Sequence, residues 1–282
     1  MAVEKYVARA PAQVAAAHNE SSPFTIEVRF LGGLTPRQMD AFTAAADRWC
    51  KVIIGDMPTV VVGGEVIDDL VILAQGQDID GPGQILGQAG PTHLRPRSAG
   101  KAAFIPARGK MAFDTADLVQ MEQSGTLNDV ITHEMGHVLG IGTIWSRKRQ
   151  LRGGGSANPT FTGETAEREY GTLTGGKARP VPVENKGGQG TADSHWREAV
   201  FGNELMTGFV GRAGNPISRL TVACLRDLGY VVDFDAAEPY ELPNLLDLAE
   251  GPSLVSPDAH LRKGLMLPSI PLELPDESLN VR

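Results

Sequence analysis

The chain has 282 residues, 41% hydrophobic and 21% charged, with a net charge of -8 and a pI near 5.3. That suffices for one large or two small domains with an ordinary core. The acidic balance argues against a nucleic-acid binder, which needs a dense basic surface. Two cysteines, Cys50 and Cys224, make neither a disulfide framework nor a cysteine zinc site. Each lies in an apolar helical pattern and reads as a buried thiol, with one Cys50–Cys224 bridge left open. There is no run of 18 apolar residues to span a membrane, and no apolar core of a secretory leader near the start. A removed leader, an internal location and leader-independent export all stay open. The basic run Ser146–Arg152 reads as a solvated loop.

Residues 1–22 are Ala-rich and polar and read as a loose N-terminal arm. Phe24, Ile26, Val28 and Phe30 alternate with polar residues, which predicts a half-buried strand. Thr35-Pro36 then opens a helix, a capping hydroxyl followed by proline in the first turn. Met39, Phe42, Ala46, Trp49 and Ile53 supply its apolar face. Short apolar runs predict strands at 69–74, 84–89 and 110–114. Asp78 and Asp80 in "QDIDGPG" resemble a fragment of a calcium loop, but a solvated turn is the better reading without the rest of such a loop. Calcium therefore stays unsupported.

A helix carrying THEMGHVLG follows. Thr126 and Asp129 have the spacing of a capping box, and Ile131, Met135 and Val138 fall on one face. Gly140 is placed to end the helix and turn the chain. Residues 151–190 hold 10 of the 33 glycines and no long apolar periodicity, so they read as a loop-rich insertion. Asn215-Pro216 opens another helix, faced by Ile217, Leu220, Cys224 and Leu228 and ended by Gly229. Residues 236–282 hold 7 of the 19 prolines and read as an extended tail that lies on the surface or contacts a partner.

The chemistry lies in HEMGHVLG, residues 133–140. His133 and His137, one helical turn apart, can face one ion, and Glu134 is then near enough to take a proton from metal-bound water. At this chain's composition HExxHxxG arises by chance in roughly one chain in a thousand. Two ordinary helix histidines making hydrogen bonds are the weaker reading. A third ligand is required. HEMGHVLG resembles the metzincin motif, in which the third histidine comes three residues after the glycine; here that place holds Thr143, which leaves His93, His195 and His260 as candidates outside the arm.

These residues resemble the leishmanolysin branch of the metzincin zinc peptidases. In that branch an insertion separates the glycine of HExxHxxG from the third histidine, and an ELM turn follows. This chain has HEMGHVLG at 133–140, SHW at 194–196 and NELMTG at 203–208. VPVEN followed by GGQGTADSHW looks like bacterial members of the branch. The resemblance implies one catalytic zinc on His133, His137 and His195, with Glu134 as general base and Met206 as the methionine turn. Without it, Met206 would read as core. Trp145 and Trp196 read as packing under the site.

The resemblance also implies an α+β metzincin-like fold: a twisted mixed sheet with the active-site helix above a loop-rich C-terminal subdomain. The domains expected are an arm at 1–22, a catalytic domain at 23–235 divided into 23–140 and 141–235, and a tail at 236–282. Lys110, Met111, Ala112, Phe113 and Asp114 would form the edge strand that pairs with an extended peptide substrate. The function implied is zinc-dependent endopeptidase, acting on peptide or protein substrates, at the cell surface or outside it. A cytoplasmic location stays open, and a non-catalytic zinc-binding or adhesion protein on the same scaffold is the alternative. Cysteines beyond the two, a disulfide-rich C-terminal domain and a lipid-anchor signal, all features of the parasite surface enzymes, are not read in this sequence. The stretch LMLPSIPLELP would suit an internal inhibitor lying in the groove, though a surface tail is the simpler reading.

Overall fold

The computed structural model describes residues 3–20, 22–81, 87–188, 190–210, 213–243 and 270–280. Among these residues the frame is a mixed sheet of six strands, in the order Glu4–Arg9, Thr25–Phe30, Leu70–Gln77, Pro106–Asp114, Gly87–Leu94 and Leu272–Glu273, flanked by helices. The first strand, β1 (Glu4–Arg9), is followed by a short helix, α1 (Ala12–Ala17). β1 pairs antiparallel with β2 (Thr25–Phe30), with Glu4 opposite Phe30 and Arg9 opposite Thr25. Residues 4–9 are therefore not a loose arm. Their apolar pattern is short, but Ala8 is buried and the Tyr6 hydroxyl reaches Asp47 on the following long helix.

That helix, α2 (Pro36–Val52), begins as its sequence predicts. Thr35 and Gln38 form a reciprocal capping box with proline in the first turn, which satisfies two orphan amide donors. Ala41, Phe42, Ala45, Ala46, Trp49 and Cys50 are buried along one stripe. Phe42 meets Phe30 and Phe113 edge to face, with ring centroids 6.2 and 5.8 Å apart. This stripe packs the helix onto the sheet.

A hairpin of β3 (Val60–Val62) and β4 (Glu65–Ile67) leads into β5 (Leu70–Gln77), which runs parallel to β2. Next in sequence come β6 (Gly87–Leu94) and β7 (Pro106–Asp114). β7 is parallel to β5 and antiparallel to β6, so it is hydrogen-bonded on both sides. Lys110–Asp114 is therefore an interior strand, and the expectation of an edge strand there is corrected. A short apolar run records that a strand is buried on its faces and carries no information on how many neighbours it pairs with. The antiparallel strand near the edge is β6. The expected strand at 84–89 lies partly outside the described residues.

The chain then enters α3 (Thr115–Ser124) and α4 (Leu127–Val138). Thr126 makes no side-chain cap, and Asp129 accepts instead from the amides of Gly214 and Asn215 and pairs with Arg48. The spacing of a capping box is present, but tertiary donors claim the carboxylate. Beyond α4 the insertion is more ordered than its glycines suggest. It contains β8 (Leu151–Arg152), β9 (Thr160–Phe161) and β10 (Val181–Pro182) in one small sheet, and the helix α5 (Glu164–Leu173). After α6 (Glu198–Phe201) comes α7 (Arg219–Leu228), capped by Ser218 and closed by Gly229 at φ +112°. Asn215-Pro216 thus precedes α7 without starting it.

The last strand, β11 (Leu272–Glu273), pairs parallel with β6 at His93 and Leu94. In this part the expected tail adds a short strand to the sheet, while residues 244–269 lie outside the described residues. β11 is anchored by Leu274, whose amide donates to the Leu94 carbonyl and whose side chain joins Val60, Val62, Ile67, Val71 and Ala107 in a second, smaller core. Cys50 and Cys224 are both free and buried, so no bridge joins them. Among the described residues no helix is long and apolar enough to cross a membrane.

Leu274→Ala should lower unfolding stability by about 2–4 kcal/mol, because it opens a cavity in that second core. Chemical denaturation measures it, and an unchanged midpoint would show that the C-terminal strand contributes nothing to the fold.

Candidate metal centre

The site is built on α4, which is buried from Asp129 through Val138. The Trp49 indole of α2 donates to the Thr132 carbonyl at 2.9 Å and ties the helix to the main core. His133 and His137 lie one turn apart with their rings edge to face, centroids 4.8 Å apart. The helix ends at Val138, and Gly140 turns the chain at φ +109°. A Cβ on Gly142 would lie 2.0 Å from the Ser194 carbonyl, so that glycine lets the distant SHW segment come up against the helix end. His195 is thereby delivered to the same point as the two helix histidines.

The Nε2 atoms of His133, His137 and His195 lie 3.1, 3.1 and 2.9 Å apart. Each Nδ1 sits beside a main-chain carbonyl: His133 on Leu205 at 2.7 Å, His137 on Ile141 at 2.9 Å and His195 on Thr191 at 2.9 Å. A carbonyl only accepts, so each Nδ1 carries the proton and each Nε2 presents a lone pair. Three lone pairs then converge with no donor among them, an arrangement that repels itself unless a cation lies between. Burial holds all three rings neutral. His133 is pushed down to about 3 and His137 to about 4, and His195 well below the usual range. Three neutral imidazoles, each oriented by a carbonyl, are the donor set that zinc takes.

Glu134 completes the cluster. It is 3% exposed, its Oε1 lies 3.7 Å from His133 Nε2, and its Oε2 has no hydrogen-bond partner. Burial pushes its carboxyl well up. A dication held by the histidines would reverse that and favour the carboxylate. An orphaned acceptor this deep in the fold is expensive unless a function uses it.

Met206 lies beneath α4, fully buried. A Cβ on Gly136 would come within 2.7 Å of its sulfur, so the glycine between the two helix histidines is what lets the methionine approach. Trp145 and Trp196 are fully buried and stack at 4.9 Å next to Phe161.

Of the other candidates, His93 lies on β6 with its Nδ1 against Thr92, and His260 is outside the described residues. Lys110–Asp114 lies in the sheet interior, where Asp114 accepts from the amides of Ile79, Asp80, Gly81 and Ala116. Asp78 and Asp80 belong to no group of convergent ligands among the described residues. The other such group, Asp56, Asp68 and Asp69, lies around the buried guanidinium of Arg95, a resident cation. No residue pattern marks the carbonyls that orient the histidines, because any residue supplies one. Nor does any mark Glu184, whose amide and carbonyl bind the His195 carbonyl and the Asp193 amide.

Gly136→Ala should destabilise the protein by about 1–3 kcal/mol, because the added methyl must displace the Met206 sulfur. Thermal unfolding reads this, and a neutral effect would show that the methionine is not held against the helix.

Comparison with known proteins agrees with this geometry. The model of the leishmanolysin peptidase family, M8, matches residues 101–244, slightly more than half of the chain and all of the site. A leishmanolysin-like peptidase of Caenorhabditis briggsae is 40% identical over 77 residues, which are 27% of this chain and 11% of the nematode protein. A second, from Caenorhabditis elegans, shows the same identity and coverage. The aligned stretch is thus a small fraction of those longer relatives. On the extent of the family match, with the three histidines inside it, the chain belongs to the leishmanolysin family of peptidases.

Proposed function

We propose that this protein is a zinc-dependent endopeptidase. The observation that carries the reading is the convergence of three neutral imidazoles beside a buried carboxylate with an unpartnered oxygen. His133, His137 and His195 would hold the metal, which when bound polarises the scissile carbonyl and lowers the pKa of water to about 7. Glu134 would act as general base, taking a proton from the attacking water and handing it to the leaving amine. The Nδ1 hydrogen bonds keep each ring in the tautomer that leaves Nε2 free. Met206 supports the helix from below, and Gly140 turns the chain from an upper subdomain, 23–140, into a lower one, 141–235, as in metzincins.

The substrate edge follows from the sheet order. Among the described residues, the outer edge of Gly87–Thr92 on β6 carries no strand, and β11 occupies only His93 and Leu94. An extended peptide would pair along Gly87–Thr92, taking its main-chain hydrogen bonds from that free edge. Peptide or protein substrates suit such an edge. The alternative of a zinc-binding protein without turnover gives no reason for Glu134, since a structural site needs no buried base.

Glu134→Gln should keep bound zinc and lose at least about a hundredfold in peptide hydrolysis, the usual contribution of general base catalysis. Casein digestion with parallel metal analysis measures both. A variant that still cleaves at the wild-type rate would contradict the assignment of the base.

A further inference from the structure

Beneath the histidines is a second carboxylate that the mechanism does not use. Glu204 is 1% exposed and accepts four hydrogen bonds. Oε2 takes the Met206 amide at 2.6 Å. Oε1 takes the Ser218 hydroxyl at 2.6 Å, the Ser218 amide at 3.3 Å and the Thr221 hydroxyl. Every partner donates, so the group serves throughout as an acceptor.

Two branches lead from it to the metal ligands. In the first, the bond to the Met206 amide fixes the Leu205–Met206 peptide, and the carbonyl of that peptide is the one that orients His133. In the second, the Thr221 hydroxyl that donates to Glu204 accepts from the Trp196 indole at 2.9 Å. Trp196 adjoins His195, and its amide donates to the Met206 carbonyl at 2.9 Å. One buried carboxylate therefore joins the methionine turn, the start of α7 and the segment carrying the third histidine.

We propose that Glu204 is a positioning residue that sets His133 and His195, from opposite sides, in the geometry that binds the metal. The proposal rests on the reading that the three histidines hold zinc. Ser218 provides an internal control: its hydroxyl binds Glu204 and caps α7, but no branch to a histidine passes through it.

The test is zinc affinity by chelator competition on the full chain, with the visible spectrum of the cobalt-substituted protein as a second readout. Glu204→Gln puts an amide donor where only donors stand, and should weaken zinc binding by about 10- to 100-fold. Thr221→Val cuts only the Trp196 branch and should weaken it less, with an altered cobalt spectrum. Ser218→Ala should lower the unfolding midpoint yet leave zinc affinity and the cobalt spectrum as in the wild type. If Glu204→Gln does not fold, the contrast between Thr221→Val and Ser218→Ala decides. Equal losses in those two, or wild-type affinity in Glu204→Gln and Thr221→Val, would reduce Glu204 to a structural anchor and overturn the proposal. A wild-type chain that binds no zinc would instead overturn the metal reading itself.

Discussion

Three main-chain carbonyls decide what this site is. By accepting from the Nδ1 atoms of His133, His137 and His195, they fix three tautomers and point three lone pairs at one place. Those carbonyls belong to Leu205, Ile141 and Thr191, so three stretches of chain must be held still for the arrangement to exist. Much of the lower half of the fold serves that end. The turn at Gly140 places Ile141, the Glu204 network holds Leu205, and Glu184 ties down the segment between Thr191 and His195. Trp145, Phe161 and Trp196 pack ring against ring in the core next to His195.

The electrostatics follow from the same enclosure. Burial favours neutral imidazoles, which suits ligands that must be unprotonated to bind. The same burial disfavours the Glu134 carboxylate, and only a nearby positive charge can restore it. On the proposed reading the two effects pull toward one outcome: a cation held by the histidines would also prepare Glu134 as the base. Glu204, equally deep, is managed differently, with four donors in place of a cation.

How much of this was legible depended on whether the signal was local. The start of α2 and the end of α7 could be read because a cap and a left-handed glycine are written in adjacent residues. The pair His133 and His137 could be read because one helical turn fixes their relation. His195 stands 55 residues beyond Gly140, and no periodicity spans that distance. Only resemblance to a family singled it out, and the close approach of Gly142 to Ser194 gives the physical reason it reaches the helix. Strand neighbours were the poorest reading. Lys110–Asp114 carries only a short apolar run, and whether it lies inside the sheet depends on β6 and β5, not on itself. β1 and β11 were missed because each owes its pairing to a partner: six residues in one case and two in the other. Thr126 and Asp129 had the right spacing for a cap, but Gly214, Asn215 and Arg48 competed for the carboxylate and won it.

The central claim is that three histidines drawn from two distant segments bind one metal ion. Its most direct test is zinc per chain, by elemental analysis after dialysis against a weak chelator, for the wild type and for His195→Ala. The account predicts one zinc in the wild type, and its loss or marked weakening in the variant. Zinc absent from the wild type, or held equally well without His195, would contradict it.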